Sequence, residues 1–284
     1  MITVTDDQRA RLCWVTVDER RPPDLSLFPD FFVIGPQRTG TTWLWTMLAA
    51  HPQVVMSDPK ELFFFDTLGN PSHPCHKSDD LAWYVQRFVP RHRHRRRVRM
   101  WFRRLYGRPA HTIRGEATAN YAAMDRARID EALVLRPELR AILIVRDPVE
   151  RAWSHAKKHL ARDRGRAVEA VPDDEWRRFF ALDYQRRCAR YVEHADRWIG
   201  ALRPGHLHVE RFDAIAAEPR ALLQRVFGFL GVDAHPRELA RLPVQDKVNP
   251  TGENPVPERH RAHLEQLFAD DLRAIDERFG WRWR

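Results

Sequence analysis

Residues 31–50 read FFVIGPQRTGTTWLWTMLAA, and this stretch decides the fold. The apolar run Phe31–Ile34 ends in Gly35 and predicts a buried strand, whereas the apolar spacing within Thr41–Ala50 predicts a helix. The polar loop between them lies where backbone N–H groups and a helix N-terminus converge on an anion. We therefore predict a strand, a phosphate-binding loop and a helix, with an ordinary strand-to-helix turn as the alternative.

The same order of strand and helix recurs further along the chain. The apolar run Ala141–Val145 is followed by Arg146–Pro148, and a proline there suits the first turn of a helix that continues to about Leu160. A third run, Leu207–Val209, precedes a predicted helix from about Asp213 to Leu230. Strands that alternate with helices predict an α/β domain with a largely parallel sheet.

Composition and charge bound the class of protein. The chain has 284 residues, of which 43% are hydrophobic and 31% charged, and this excludes collagen, low-complexity disorder and a bundle of membrane spans. No linker rich in Gly, Ser or Pro divides it, so we predict one domain over residues 1–284, with an inserted basic segment at about 68–110. The formal charge of +9 indicates a polyanionic partner. The run Arg91–Arg104 within the insert carries much of this charge.

The cysteines and the N-terminus indicate a compartment. Cys13, Cys75 and Cys188 are odd in number and far apart, which argues against a disulfide framework and favours a reducing environment. The first residues lack a basic segment followed by an apolar run, and no stretch approaches the length of a membrane span. We therefore expect a cytoplasmic protein without a transmembrane segment.

The loop Gly35–Thr42 differs from the phosphate loop of nucleoside triphosphatases. Thr41 stands where that loop has lysine, and the basic side chain is Arg38, three residues earlier. Arg146 follows the second strand, at a place where triphosphatases have an acidic residue that supports magnesium. A cation at this point predicts an additional phosphate, bound without a metal.

Three motifs together resemble the sulfotransferases that use 3′-phosphoadenosine 5′-phosphosulfate (PAPS). They are the loop Gly35–Thr42, the stretch Lys60–Asp66 and the stretch Arg146–Ser154. They most resemble the branch that contains heparan-sulfate and bacterial carbohydrate sulfotransferases. The resemblance implies a three-layer P-loop-like α/β fold, with a central, mainly parallel sheet flanked by helices, and PAPS as co-substrate without a metal.

The resemblance also implies which residues bind the nucleotide. The loop would hold the 5′ side of PAPS, Arg146 and Ser154 would hold the 3′-phosphate, and a later loop would close over the nucleotide. The full set is Gln37, Arg38, Thr39, Gly40, Thr41, Thr42, Arg146, Ser154, Lys247 and Asn249.

Sulfuryl transfer needs a base for the acceptor proton and a cation near the departing bridge oxygen. The resemblance implies Glu61 as the general base and Arg38 as the cation. We expect the apolar run Phe63–Phe65 to raise the pKa of Glu61, and a solvated pair with Lys60 is the alternative reading of this carboxylate.

The sequence leaves the acceptor and two other functions open. The acceptor would be a hydroxyl, or an amine, of a small molecule, a natural product or a carbohydrate, and no nucleic-acid partner is expected. The alternatives are an atypical P-loop kinase and a non-catalytic basic nucleic-acid-binding protein. The pattern predicts no oligomeric state.

Overall fold

A parallel sheet forms the centre of the molecule. The computed structural model describes residues 2–89, 112–235, 239–240, 242–245 and 254–283. Within them the strands pair in the order β2-β3-β1-β4-β5, and every pairing is parallel. The strands are β1 (Phe31–Gly35), β2 (Val54–Met56), β3 (Ile113–Ala117), β4 (Arg140–Val145) and β5 (Leu207–Arg211).

Helices connect and cover the strands. In chain order the α helices of the described residues are α1 (Asp6–Arg11), α2 (Thr41–Ala50), α3 (Phe64–Thr67), α4 (Leu81–Val85), α5 (Arg126–Leu135), α6 (Pro148–Ala156), α7 (Asp173–Phe180), α8 (Asp183–Ala189), α9 (Tyr191–Ile199), α10 (Ala214–Ala217), α11 (Pro219–Leu230), α12 (Glu258–Leu267) and α13 (Ala269–Phe279). Shorter 3-10 turns cover Leu25–Leu27, Gln86–Phe88, Ala119–Ala123, Arg162–Arg164 and Val168–Ala170, and a π turn covers Lys157–Ala161. Not one of these described helices combines the length and the apolar character needed to cross a membrane.

The side chains of the sheet alternate between two cores. Phe32 and Ile34 of β1 pack with buried residues of α4, α5 and α9 on one face. Phe31 and Val33 pack with α2 and α11 on the other face. Because successive residues of a strand point to opposite faces, both sides of the central strand are apolar and buried. Helix, sheet and helix form three layers, as the resemblance predicted.

The predicted elements are confirmed in position and corrected in detail. The helix that begins at Pro148 ends as α6 at Ala156 and continues as the π turn to Ala161. The single helix predicted between residues 213 and 230 is wrong, because Glu218 interrupts it and Pro219 starts a new helix.

Strands β2 and β3 were not predicted. The sequence of β3 is IRGEA, which contains two charged residues and a glycine and so lacks a strand pattern. It is a strand because β1 and β2 pair with it on either side. The Phe31 ring lies against Gly115, where an added Cβ would come within 2.1 Å of the ring. Tertiary packing thus overrides a weak local pattern.

The structure describes residues 68–89 of the segment that was predicted as an insert at about 68–110. Its first part forms α4 and the following 3-10 turn, and Leu81, Tyr84 and Phe88 there are fully buried in the core. This part therefore belongs to the packed body of the protein. The basic run Arg91–Arg104 lies outside the described residues.

Candidate active site

The loop between β1 and α2 lies at the carboxyl edge of the sheet and is shaped by two glycines. Gly35 has φ +90° and Gly40 has φ +84°, in the region that side chains rarely adopt. A Cβ at Gly35 would lie 2.2 Å from the carbonyl oxygen of Ala119, and one at Gly40 would lie 2.3 Å from Cδ1 of Ile215. The loop is therefore a tight backbone cradle that leads directly into the N-terminus of α2.

The polar side chains of the loop divide into buried and accessible groups. Thr39 is fully buried and donates its hydroxyl to the carbonyl oxygen of Pro36 at 2.7 Å, so it stabilises the turn itself. Thr41 is buried in the first turn of α2. Gln37 and Thr42 are partly exposed, as a group that contacts a ligand must be. The first N–H groups of α2 have no partner within the helix and suit an anion.

Arg38 joins residues that are far apart in the sequence. Its Nε donates to the Ser154 hydroxyl of α6 at 3.0 Å, and its carbonyl oxygen accepts from a guanidinium N–H of Arg146 at 2.9 Å. The resemblance assigned Arg38 to one end of the nucleotide and the other two residues to the opposite end. The structure brings all three together in one hydrogen-bonded network.

The network is strongly cationic. Burial, together with the charges of Arg146 and Arg162, lowers the pKa of Arg38 to about 10, so the guanidinium still carries its charge at neutral pH. Burial also lowers the pKa of Arg146, whose guanidinium carbon lies 4.3 Å from the centroid of the Phe212 ring. The Nε of Arg146 is buried and has no hydrogen-bond partner among the described residues. Crowded, desolvated cations of this kind are stabilised by an anion.

Sequence reasoning missed Lys157 as a part of this cluster. It lies one turn after Ser154, is 5% exposed, and burial lowers its pKa, with Arg146 and Arg38 as neighbouring cations. Its Nζ donates to the carbonyl oxygen of Asn254 at 2.8 Å, and the indole N–H of Trp153 donates to the same oxygen at 3.1 Å. The three-residue spacing from Ser154 was the available signal, because it places both side chains on one helix face.

Glu61 lies on a loop that is attached to the end of β3. Its backbone N–H donates to the carbonyl oxygen of Ala117 at 3.2 Å, and its φ of +64° is unusual for a residue with a side chain. One carboxylate oxygen lies 2.7 Å from Nζ of Lys60, and 27% of the Glu61 side chain is exposed. The carboxylate is accessible and paired. The loop that bears Glu61 follows β2, and the loop that bears Arg38 follows β1. Because β2 and β1 both pair parallel with β3, these loops leave the same edge of the sheet.

A cavity of about 270 Å³ opens beside the phosphate loop. Pro36, Asp66, Asn120 and Tyr184 line it, and the Tyr184 hydroxyl donates to the side-chain oxygen of Asn120 at 3.2 Å. Burial raises the pKa of Asp66, while a hydrogen bond from Asn120 opposes this shift. The Asp66 Oδ1 atom is shielded from solvent and has no hydrogen-bond partner in the described part of the chain. The cavity therefore offers polar groups at a position next to the cradle.

Two predicted nucleotide-binding residues cannot be placed. Lys247 and Asn249 lie outside the described residues. Within residues 2–89, 112–235, 239–240, 242–245 and 254–283, no group of three or more His, Cys, Asp and Glu side chains has the arrangement of a metal site.

The fold and the site define a P-loop-like α/β protein with a cationic cradle at the strand ends, and sequence comparison gives its family. A model described as "Sulfotransferase family" matches residues 29–236. The chain belongs to the sulfotransferase family, which confirms the resemblance seen in the motifs.

The curated relatives are much longer than this chain, and the chain is similar to one part of each of them. The mouse bifunctional heparan sulfate N-deacetylase/N-sulfotransferase 4 is 27% identical over 241 residues, which cover 81% of this chain and 25% of that protein. The human bifunctional heparan sulfate N-deacetylase/N-sulfotransferase 3 is 30% identical over 244 residues, again 81% of this chain and 25% of the relative. The chain thus spans about a quarter of the length of the curated relatives it matches.

Solved structures agree with the fold. A sulfotransferase from Alicyclobacillus acidocaldarius is 21% identical, with a TM-score of 0.58 over 89% of this chain and 96% of that chain. The mouse sulfotransferase SULT7A1, solved in complex with PAP, is 14% identical, with a TM-score of 0.51 over 97% of this chain and 91% of that chain. At these identities the likeness shows the three-layer fold.

Proposed function

We propose that this protein transfers the sulfuryl group of PAPS to a hydroxyl or an amine of a carbohydrate or small-molecule acceptor, without a metal. The observation that carries the proposal is the network of Arg38, Ser154 and Arg146 beside a glycine-shaped cradle. A doubly phosphorylated nucleotide with a sulfate needs several cations at one site. Arg146, a cation, follows the strand β4 at the place where a triphosphatase would position a magnesium-binding carboxylate.

In this proposal the chain holds the nucleotide through backbone and side-chain donors. The loop and the first turn of α2 bind the 5′-phosphosulfate, and Arg146 and Ser154 bind the 3′-phosphate. The Nε of Arg146 is buried and has no hydrogen-bond partner among the residues that the structure describes, and this supports the assignment, because a buried donor without a partner is costly. The residues proposed for binding are Gln37, Arg38, Thr39, Gly40, Thr41, Thr42, Arg146, Ser154, Lys247 and Asn249.

Glu61 and Arg38 would carry the chemistry. The acceptor O–H or N–H gives its proton to the Glu61 carboxylate while the acceptor atom forms a bond to sulfur. The bond between sulfur and the bridging phosphate oxygen breaks, its electrons remain on that oxygen, and adenosine 3′,5′-bisphosphate leaves. Arg38 stabilises the negative charge on the departing oxygen, a role that suits a guanidinium that stays protonated at neutral pH.

The acceptor is proposed to enter through the cavity lined by Pro36, Asp66, Asn120 and Tyr184. Its position next to the cradle and its polar lining support this placement. The relatives named as heparan sulfate N-sulfotransferases favour a carbohydrate and an amine among the acceptor classes. A small phenol or alcohol is the alternative that the size of the cavity leaves open.

The wider setting is also part of the proposal. We take residues 1–284 as one domain, in a reducing, cytoplasmic environment that suits its free cysteines. We propose no nucleic-acid partner.

Calorimetric titration with adenosine 3′,5′-bisphosphate in EDTA tests the nucleotide site. We expect binding to the wild-type protein and about 10- to 100-fold weaker binding to Arg146→Ala, since a hydrogen bond to a charged group contributes about 1.5–3 kcal/mol. The matched control is Arg273→Ala, which removes one positive charge from an exposed ion pair on α13 and should leave binding unchanged. Absence of binding, or a strict need for magnesium, would contradict the proposal, and tight magnesium–ATP binding would favour the kinase alternative.

Transfer from labelled PAPS tests the chemistry and the acceptor class. The panel contains a glucosamine glycan with free amines, the same glycan with its amines acetylated, and a small phenol. Label on the first glycan alone indicates N-sulfation, and label on the acetylated glycan or the phenol indicates O-sulfation. If bisphosphate binds and no acceptor is labelled, the protein binds the nucleotide without transferring its sulfate, and the proposed activity is wrong.

A further inference from the structure

A buried carboxylate with no role in the proposed chemistry lies at the end of β3. Glu116 is fully buried, and hydroxyl groups are its hydrogen-bond donors among the described residues. The Tyr84 hydroxyl donates to its Oε2, and the Thr118 hydroxyl donates to its Oε1 at 2.6 Å. A buried carboxylate that is held only by hydroxyl groups is costly, so its presence calls for a physical reason.

The Thr118 hydroxyl links this carboxylate to the loop that bears Glu61. A threonine hydroxyl has one hydrogen, and here that hydrogen points to Glu116. Its lone pairs then accept from the backbone N–H of Leu62 at 3.1 Å. The adjacent N–H of Glu61 donates to the carbonyl oxygen of Ala117 at 3.2 Å. The amides on both sides of the Glu61 side chain are thus tied to the end of β3.

The same loop contains unusual backbone conformations that need such support. Glu61 has φ +64° and Phe63 has φ +54°, and neither residue is glycine. Left-handed conformations of residues with side chains persist only where the surrounding structure enforces them. The chain Glu116–Thr118–Leu62 is a hydrogen-bonded path through side chains that connects the loop to the sheet, beside the backbone bond from Glu61 to Ala117.

We propose that Glu116 is a positioning residue that, through the Thr118 hydroxyl, holds Glu61 in the orientation needed to accept the acceptor's proton. The inference rests on the proposed function, in which Glu61 is the base. When Glu116 is ionised, it accepts from both hydroxyls and fixes the direction of the Thr118 lone pairs. When it is protonated, one of its oxygens becomes a donor, and a hydroxyl that donated to it must turn away.

The groups around Glu116 set the pH range in which its carboxylate gains a proton. Burial raises the pKa of Glu116 to about 7, and hydrogen bonds from Thr118, Tyr84 and Tyr121 oppose the rise. The negative charge of Asp66 on α3 raises the pKa of Glu116 further. Protonation of Oε1 makes the Thr118 hydroxyl turn away, so the Leu62 amide should be tightly held above neutral pH and loosened below it.

Amide signals of ¹⁵N-leucine-labelled protein give a test that requires no turnover. We expect the Leu62 amide of the wild-type protein to titrate near neutral pH, with faster hydrogen exchange on the acid side. Thr118→Val removes the hydroxyl at nearly constant shape and should abolish both the titration and the protection, and Thr118→Ser should restore them. Glu116→Gln should remove the titration, because the amide cannot ionise over this range.

Tyr84→Phe is the matched control variant, which tests whether the hydrogen bonds of Glu116 act only on the stability of the protein. It removes a donor from the Glu116 oxygen that faces away from Thr118, so it disturbs the same buried carboxylate without breaking the link to Leu62. We expect this variant to raise the midpoint of the Leu62 titration and to leave the amide protected at high pH. The rate of PAPS turnover with water as acceptor should fall at least about tenfold in Thr118→Val and much less in Tyr84→Phe, with unchanged bisphosphate affinity in both.

Two results would overturn the inference. One is a Leu62 amide that is indifferent to pH and to the Glu116 and Thr118 substitutions. The other is an equal loss of turnover in Thr118→Val and Tyr84→Phe, which would assign the network to stability alone. Failure of the proposed function is recognised separately, because wild-type protein that does not bind the bisphosphate still reports on the Leu62 amide.

Discussion

At the scale of single residues, the proposed catalytic side chains project from strained backbone positions. Arg38 has φ +71° and Glu61 has φ +64°. Each such conformation costs about 1–3 kcal/mol and must be enforced by its surroundings. Arg146 holds the carbonyl group of Arg38, and Ala117 holds the N–H of Glu61. Neither side chain would point as it does in an unsupported loop, which is typical of a functional site.

The role of Glu61 can be tested with a substitution that keeps its shape. We expect Glu61→Gln to lower the rate of sulfuryl transfer by about 100-fold or more, because a general base contributes about 10²- to 10⁴-fold. Bisphosphate affinity should be unchanged, since the proposed nucleotide contacts remain. Transfer assays with labelled PAPS and calorimetry measure the two quantities.

Lys60→Met shows whether Glu61 acts in catalysis or only in its ion pair. This substitution breaks the ion pair between Lys60 and Glu61, whose Nζ and carboxylate oxygen lie 2.7 Å apart, and it keeps the carboxylate. We expect a smaller effect on the rate than in Glu61→Gln. Equal losses in both variants would mean that Glu61 matters as a partner of Lys60, and the role of base would be excluded.

At the scale of elements, the phosphate loop depends on the close contact of Gly35 with the turn after β3. Gly35 must provide both a positive φ and space, because the carbonyl oxygen of Ala119 occupies the place of a side chain. Gly165 has φ +62°, and no atom of the described residues lies within 4 Å of a Cβ added there, so Gly165 requires only the positive φ. A comparison of alanine substitutions at Gly165 and Gly35 therefore distinguishes the cost of backbone strain alone from the cost of strain and steric overlap together.

We therefore expect Gly165→Ala to lower the free energy of unfolding by about 1–2 kcal/mol, the cost of a left-handed conformation. Gly35→Ala should lower it by about 1–3 kcal/mol more, since backbone atoms cannot move aside easily. Urea unfolding at constant pH measures both. Equal losses would show that the loop can shift away from Ala119, and the cradle would then be less rigid than the structure indicates.

The strands and helices also show which elements a local sequence pattern predicts and which it misses. β1, α2 and β4 were predicted because their apolar residues follow the period of a strand or a helix. β3 was missed because Arg114, Gly115 and Glu116 interrupt any such period. Its strand conformation comes from pairing with β1 and β2, and the pairing partners lie tens of residues away in the chain.

At the scale of the whole molecule, buried titratable groups make stability depend on pH. Burial lowers the pKa of His155 to about 3 and that of His194 to about 4. As pH falls below their ordinary value of 6.5, these histidines gain protons only in the unfolded chain, so stability falls toward acid. Glu116, with a pKa raised to about 7, acts in the opposite direction. Between its ordinary value of 4.5 and this value, the unfolded chain loses a proton that the folded protein keeps, and stability falls as pH rises.

Glu116→Gln isolates the contribution of this carboxyl. We expect the free energy of unfolding of the variant, relative to wild type, to increase by up to about 3 kcal/mol between about pH 4 and about pH 8. The histidines cancel in this difference because both proteins contain them. Urea unfolding at several pH values measures it. Parallel curves for the two proteins would show that the carboxyl of Glu116 has the same pKa in the folded protein and in the unfolded chain, and the raised pKa would be wrong.

The sequence by itself determined the strand, loop and helix at residues 31–50, the cation that follows β4, and the family resemblance. These features are local, since each depends on residue types within a few positions of one another. Tertiary structure alone decided that Arg38 contacts Ser154 and Arg146, that the charge of Lys157 lies near these cations, and that Glu116 supports the Glu61 loop. Such contacts depend on which strands are neighbours and in what register they pair. Burial by distant segments sets the charge state of these groups, and no local pattern encodes it.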